Sequence, residues 1–180
     1  NMSDSDIMNT FLNGPQTVLV TVTIPEGYTA EKIADLLDKK GIVDRDAFLQ
    51  AAETYVPYDY MENDDPNVKY KMEGYLFPDT YKFTTNASAK DVIDIMAGQF
   101  DKKLNSDLRA QADAMDISIH KLVVLASLVE AEAKFDDDRP IIAQVFFNRL
   151  NINMPLQSDI TVDYARGEKT AVLTTEQTQF

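Results

Sequence analysis

Two glutamates close an apolar run. Leu122 to Val129 is apolar except for Ser127, and Glu130 follows with no polar transition. On a helix, Glu130 shares its face with Val123, Ala126, Ser127, Ala133 and Lys134. Ala126, Ser127 and Ala133 are small, so space is left beside the carboxylate. A carboxylic acid at the lip of an apolar wall holds its proton more tightly, because desolvation penalises the charged form. That is what a general acid needs. Glu132 lies about 200° further round the helix and points elsewhere. Glu130 also reads as an ordinary polar residue at a helix end, and spacing alone leaves both readings open.

Other residues carry weaker signals. Asp136, Asp137 and Asp138 are consecutive and precede a helix, so N-capping and dipole pairing explain them better than a cation site. Gln157, Ser158 and Asp159 follow Pro155, where they either line a cleft or simply form the turn. Tyr75, Phe77 and Tyr81 suit either a core or the faces of sugars. His120 falls in the first turn of the apolar helix and reads as a capping-region residue rather than a ligand. Asn86-Ala87-Ser88 matches a glycosylation sequon, a signal of low specificity.

Composition narrows the chemistry. The 180 residues are 44% hydrophobic and 26% charged, as in globular proteins. Seventeen basic residues face thirty acidic ones, a net charge of −13. Nucleic acid and anionic lipid surfaces would both repel such a chain. There is no Cys and a single His. Thiol nucleophiles, disulfides and Cys-ligated zinc are thereby excluded, and His-based triads have little room. Carboxylates, hydroxyls and amides remain, and no metal or cofactor is expected. No apolar stretch approaches the roughly 20 residues of a membrane span. The start, residues 1–16, carries Asp4 and Asp6 and no basic signal-peptide region. It is expected to be a leader of low order, and the initial Asn suggests a chain cut from a longer protein.

The elements that must position these groups follow from pattern. Val18 to Ile24 (VLVTVTI) reads as a strand. Thr29 is placed to cap a helix carrying Ile33, Leu36 and Leu37, with Gly41 beyond its end. Asp44 caps the next, carrying Ala47, Phe48 and Ala51. Residues 57–70, with Pro57, Pro66 and an acidic run, read as a linker. Tyr75 to Phe83 is aromatic and β-prone, interrupted by Pro78-Asp79. Ser88 and Asp91 form a capping box for a helix to about Leu104. Ser118 caps the apolar helix, read as buried on nearly every face. Asp138 caps another with Pro140 in its first turn, reaching Leu150. Residues 151–180 read as loop with short strand or helix pieces.

Taken in order, several segments resemble one family, the MltG/YceG-like endolytic peptidoglycan transglycosylases. Glu73 to Tyr81 (EGYLFPDTY) is close to a family signature. Leu125 to Ala133 (LASLVEAEA) resembles the helix bearing the family's catalytic Glu. Arg139 to Leu150 (RPIIAQVFFNRL) and Met154 to Tyr164 (MPLQSDITVDY) continue the match, and Val18 to Ala52 resembles the LysM-like module that precedes the catalytic domain. The resemblance runs from about residue 17 to 175. It departs at Ile160, where the family has Pro, and at Asp163, where an apolar residue is common. The family's closing Gly-Leu-Pro-Pro-Gly stretch and its N-terminal membrane helix are not in this sequence, so part of the active-site wall is expected to be missing.

The resemblance implies an α+β fold: a LysM-like module at 17–56, the linker at 57–70, and a mostly helical catalytic domain with a small sheet at 71–180. It implies Glu130 as catalytic acid, with Glu132 the alternative. Gln157, Ser158 and Asp159 become cleft residues, and Glu73 and Tyr81 further substrate-binding ones. The implied reaction is non-hydrolytic cleavage of the MurNAc-β-1,4-GlcNAc bond within glycan strands, leaving a 1,6-anhydro-MurNAc end and using no cofactor. The implied partners are peptidoglycan glycan strands and a cell-wall synthase. The implied place is the outer face of the bacterial cytoplasmic membrane, reached through a helix outside this chain. A non-catalytic peptidoglycan-binding scaffold is the competing expectation, and a hydrolase releasing reducing ends is a third.

Overall fold

The computed structural model describes Met8 and residues 18–63, 65–66 and 68–166. Apart from Met8, the leader expected at 1–16 lies outside the described residues. The elements are β1 (Leu19–Thr23), α1 (Ala30–Lys39), α2 (Arg45–Thr54), β2 (Thr80–Thr84), α3 (Ala89–Lys103), α4 (Ser106–Ala114), α5 (Ile119–Glu132), α6 (Arg139–Asn151) and α7 (Asp159–Arg166). Short 3₁₀ turns stand at Asp59–Met61 and Asp136–Asp138. The mixture is α+β, as expected, and it forms two compact units, Asn1–Leu104 and Asn105–Phe180.

Helix starts follow side-chain chemistry. The Thr29, Asp44, Asn105 and Ser118 side chains each accept a backbone N–H of the first turn. At α3 the box is reciprocal in part: Asp91 N–H donates to Ser88 Oγ at 3.1 Å, and Ser88 Oγ donates to Asp91 Oδ2 at 2.6 Å. Gly41, at φ +66°, takes the left-handed position that ends α1.

The first unit is built on one strand pair. β1 runs antiparallel to β2, from Leu19 opposite Thr84 to Thr23 opposite Thr80. Alternation sends Val22, Tyr81 and Phe83 inward and Thr21, Thr23 and Lys82 outward. Ile33 and Leu37 of α1, Phe48 of α2, and Ile93 and Met96 of α3 belong to the core of the same unit, all 2% exposed or less. Each such side chain contributes about 1.5–3 kcal/mol by burial.

Here the expected boundaries move. A module ending at residue 56 would leave β1 without its partner, which lies at 80–84. Residues 57–70, of which Asp64 and Asn67 are not described, lie within the first unit rather than between units. Met61 is fully buried. Tyr60 donates its hydroxyl to Asp101 Oδ1 at 2.9 Å, and Lys69 and Tyr70 both reach Glu31 Oε1. Composition misleads because three or four anchoring side chains suffice to fasten a segment that is otherwise polar.

The second unit has a thinner core. Leu125 and Leu128 of α5 meet Phe146 of α6, with Val129, Ile142, Phe147, Leu156 and Ile160 packed around them. The α5 helix, expected to be buried on nearly every face, is buried on one stripe only. Val124 is 42% exposed, and Ala126 and Ser127 are exposed as well. Among the described elements of this unit, α4, α6 and α7 contact α5, and they leave its remaining surface uncovered. The α4 helix was not foreseen, because only Ala112 of it is buried and no apolar stripe announces it. No helix among the described residues is long and apolar enough to cross a membrane.

The difference in cores has a consequence. Residues 18–104 expressed alone should unfold cooperatively on heating, followed by near-ultraviolet circular dichroism of Tyr75 and Phe100, whose rings meet edge-on at 5.3 Å. Residues 18–56 alone should show no such transition. A cooperative melt of 18–56 would restore the earlier boundary.

Candidate active site

The C-terminal end of α5 and the N-terminal end of α6 frame a cleft of about 400 Å³. Its apolar lining comes from Leu122, Leu125, Ala126 and Val129 of α5 and from Pro140, Ala143, Phe146 and Phe147 of α6. Its charged lining is Glu130 and Arg139. The small Ala126 and Ala143 leave the gap open.

Glu130 is held from one side. Arg139 Nε donates to Glu130 Oε2 at 3.1 Å, and Arg139 Nη2 approaches the same oxygen at 2.9 Å. Arg139 Nη1 meets Asp136 Oδ1 at 2.5 Å. Glu130, and Asp136 after it, hold the Arg139 guanidinium above its ordinary pKa. The apolar wall expected beside Glu130 is present, but the burial is not: its side chain is 46% exposed. The reason is the uncovered surface of α5.

Glu132 points to another neighbour, as the helical angle requires. Ser158 Oγ donates to Glu132 Oε1 at 2.7 Å. Ser158 is itself 6% exposed. Its carbonyl accepts Thr161 Oγ1 at 2.6 Å, and the Arg149 guanidinium donates to the Leu156 carbonyl. The loop 154–158 is thus fastened at both ends. Within it Gln157 is exposed and sits at φ +51°, a left-handed conformation that costs roughly 1–2 kcal/mol outside glycine. Asp159 is exposed and opens α7, where a negative charge favours the helix dipole. The side chain of Asp163 lies outside the described residues.

The remaining candidates belong to the first unit. Glu73 Oε2 accepts the Ala30 N–H at 2.8 Å and so caps α1 from 43 residues away. Burial pushes the Glu73 carboxyl up, against the lowering effect of that bond, and the Glu31 charge adds to the rise. Tyr81 is buried and donates its hydroxyl to the Phe77 carbonyl at 2.6 Å. Burial raises its phenol, and that of Tyr75 to about 12. For Tyr75 and Tyr81 the core alternative therefore holds.

The three aspartates form a 3₁₀ turn, and Asp138 stands at the N-cap of α6 without a side-chain cap bond. The side-chain cap expected of Asp138 is not formed, and Asp136 pairs with Arg139 instead of with the backbone. Among the described residues no cluster of His, Asp and Glu could hold a metal. Arg139 was missed in the sequence. Its signal was there: a basic residue nine positions after Glu130, opening the next helix of a tight helical hairpin.

The sequence pattern of the YceG-like family matches residues 1–180. This chain belongs to the YceG-like family. An endolytic murein transglycosylase of Streptococcus pneumoniae strain D39 is 36% identical over 188 residues, covering 93% of this chain and 34% of that protein. An endolytic murein transglycosylase of Bacillus subtilis strain 168 is 34% identical over 174 residues, covering 90% of this chain and 48% of that protein. The YceG-like chain therefore spans about a third to a half of the length of these curated relatives. A 2.6 Å crystal structure of a YceG-like protein from Listeria monocytogenes matches with a TM-score of 0.77 at 30% identity. That match covers 99% of this chain and 62% of the other.

Glu73 gives this YceG-like fold a pH signature. Unfolded, its carboxyl titrates at the ordinary value of 4.5; folded, it titrates higher. Between the two, the unfolded chain has released a proton that the folded chain retains, so stability falls as pH rises through that window. Glu73→Gln keeps an acceptor for Ala30 N–H but cannot ionise. The melting temperature of wild type should therefore fall relative to that of Glu73→Gln as pH rises from 4.5. Parallel curves would show that Glu73 does not titrate in this way.

Proposed function

We propose that the second unit carries the proton-transfer site of an endolytic murein transglycosylase. The observation that carries this reading is the environment of Glu130. Its carboxylate faces an open cleft and is bonded through one oxygen only, whereas Glu132 is engaged with the buried Ser158. The substrate is the peptidoglycan glycan strand. Glu130 donates its proton to the glycosidic oxygen as the bond from C1 of N-acetylmuramic acid breaks, so the N-acetylglucosamine side leaves with a 4-hydroxyl. The Glu130 carboxylate then takes the proton of the muramic 6-hydroxyl, whose oxygen bonds to C1. The 1,6-anhydro ring closes, Glu130 ends protonated, and no water is consumed. Most glycosidases need a second carboxylate to supply or activate the nucleophile. One suffices here because the nucleophile belongs to the substrate.

In the same reading Gln157 and Asp159 contact the glycan strand outside the cleft, and Ser158 holds their loop to α5 through Glu132. Glu73 and Tyr81 act at one remove, by maintaining the first unit. The order β1, α1, α2, β2 supports reading that unit as a LysM-like glycan-binding module with an insertion before its last strand. In this reading the working protein stands outside the cytoplasmic membrane, attached through a helix outside this chain and acting beside a cell-wall synthase.

Mass spectrometry of products from purified peptidoglycan tests the reaction. Anhydro-muramyl ends are expected. Reducing ends would mean a hydrolase, and binding without product would mean a scaffold. Glu130→Gln keeps shape and removes the proton, so product should fall by about 10²- to 10⁴-fold. Glu132→Gln should be milder. Loss in Glu132→Gln with wild-type turnover in Glu130→Gln would move the assignment to Glu132.

A further inference from the structure

We infer that Arg139 is a positioning residue that fixes Glu130 Oε2 and thereby assigns both proton transfers to Glu130 Oε1. The inference rests on the reading of Glu130 as the proton donor. A free carboxyl group has two interchangeable oxygens. Here they are unlike. Arg139 Nε and Nη2 converge on Oε2, at 3.1 and 2.9 Å. Among the described residues Oε1 accepts no hydrogen bond.

A guanidinium has donors only. An oxygen facing its N–H groups must stay an acceptor and is barred from carrying a proton directed at them. When Glu130 is protonated, the proton therefore sits on Oε1, and Oε2 remains the carbonyl-like acceptor. Oε1 is also the oxygen left without a protein donor among the described residues. It gives its proton to the glycosidic oxygen, and as the bare oxygen it receives the proton of the 6-hydroxyl. The side chain need not turn over between the two steps.

Arg139 is well placed to be rigid. It opens α6, is followed by Pro140, and is held on its far side by Asp136 Oδ1. A lysine would supply the charge without the two-pronged donor geometry. The pair is also open to solvent, Arg139 being 42% and Glu130 46% exposed. Exposed pairs add little to stability, so removing Arg139 should leave the fold standing.

The test uses the intact gene product with purified glycan strands. Kinetic constants and melting temperature are measured for Arg139→Ala and Arg139→Lys, with Glu130→Gln alongside. Loss of orientation at a reacting group costs roughly 10²-fold, so kcat of Arg139→Ala should fall by about that factor, with KM within about twofold. Arg139→Lys should lie between it and wild type. Guanidinium ion at sub-denaturing concentration should recover part of the rate of Arg139→Ala, and urea should not. Wild-type kcat in Arg139→Ala beside an inactive Glu130→Gln would overturn the role of Arg139 and leave Glu130 standing. A fall in kcat that tracks a fall in melting temperature, with no guanidinium rescue, would make Arg139 structural and overturn the inference. Full activity of Glu130→Gln would remove the proton donor on which it rests.

Discussion

Two carboxylates two residues apart on an α-helix stand about 200° apart around its axis. That angle governs the second unit. Glu130 and Glu132 therefore face different neighbours, and each has its own partner. Glu130 turns to the start of α6 and meets Arg139. Glu132 turns to the loop before α7 and meets Ser158. On the Glu132 side of the helix, Leu125 and Leu128 form the apolar stripe that meets Phe146. One helix end thus fastens two following segments, and the cleft is the space left where α5 and α6 diverge beside small side chains.

The first unit rests on a different closure. Thr23 and Thr80, 57 residues apart, are joined across the strand pair by their hydroxyls at 2.8 Å. Closing a loop of that length costs roughly 4 kcal/mol beyond a constant. Val22, Ile24, Tyr81 and Phe83, buried near the ladder, contribute roughly 1.5–3 kcal/mol each, which exceeds that cost. Glu73 adds a second long-range tie by capping α1, at the expense of burying a carboxyl. A chain that burdens a cap in this way gains a fixed register between its central segment and α1.

Local chemistry was legible in the sequence. Thr29, Asp44, Ser88 and Ser118 cap the helices that they were read as capping, because a cap is decided within four residues. The opposed directions of Glu130 and Glu132 were legible for the same reason. What depended on distant neighbours was not. The partner of β1 lies beyond a segment whose Pro and acidic residues look like a linker. The α4 helix buries too little to show a stripe. The exposure of α5 could not be read from its composition, since apolar residues announce a tendency to be covered and not the covering element. Arg139 was overlooked because its role arises from a hairpin that returns it to Glu130.

The Glu130–Arg139 contact is better understood through geometry than through stability. Exposed ion pairs are worth about 0–1 kcal/mol, less than the burial of one Leu. Yet three aspartates and Glu130 gather at the start of α6, where a helix presents roughly half a positive charge. Arg139 stands within this acidic group and bonds two of its carboxylates at once. A cation shared in this way restrains both partners, and the 3₁₀ turn carrying Asp136 is itself fixed by the chain on either side. The restraint therefore passes from the turn, through the guanidinium, to one oxygen of Glu130. The opposite oxygen is left without a protein donor among the described residues, and a reaction that needs an acid first and a base afterwards at the same point in space is served by that asymmetry.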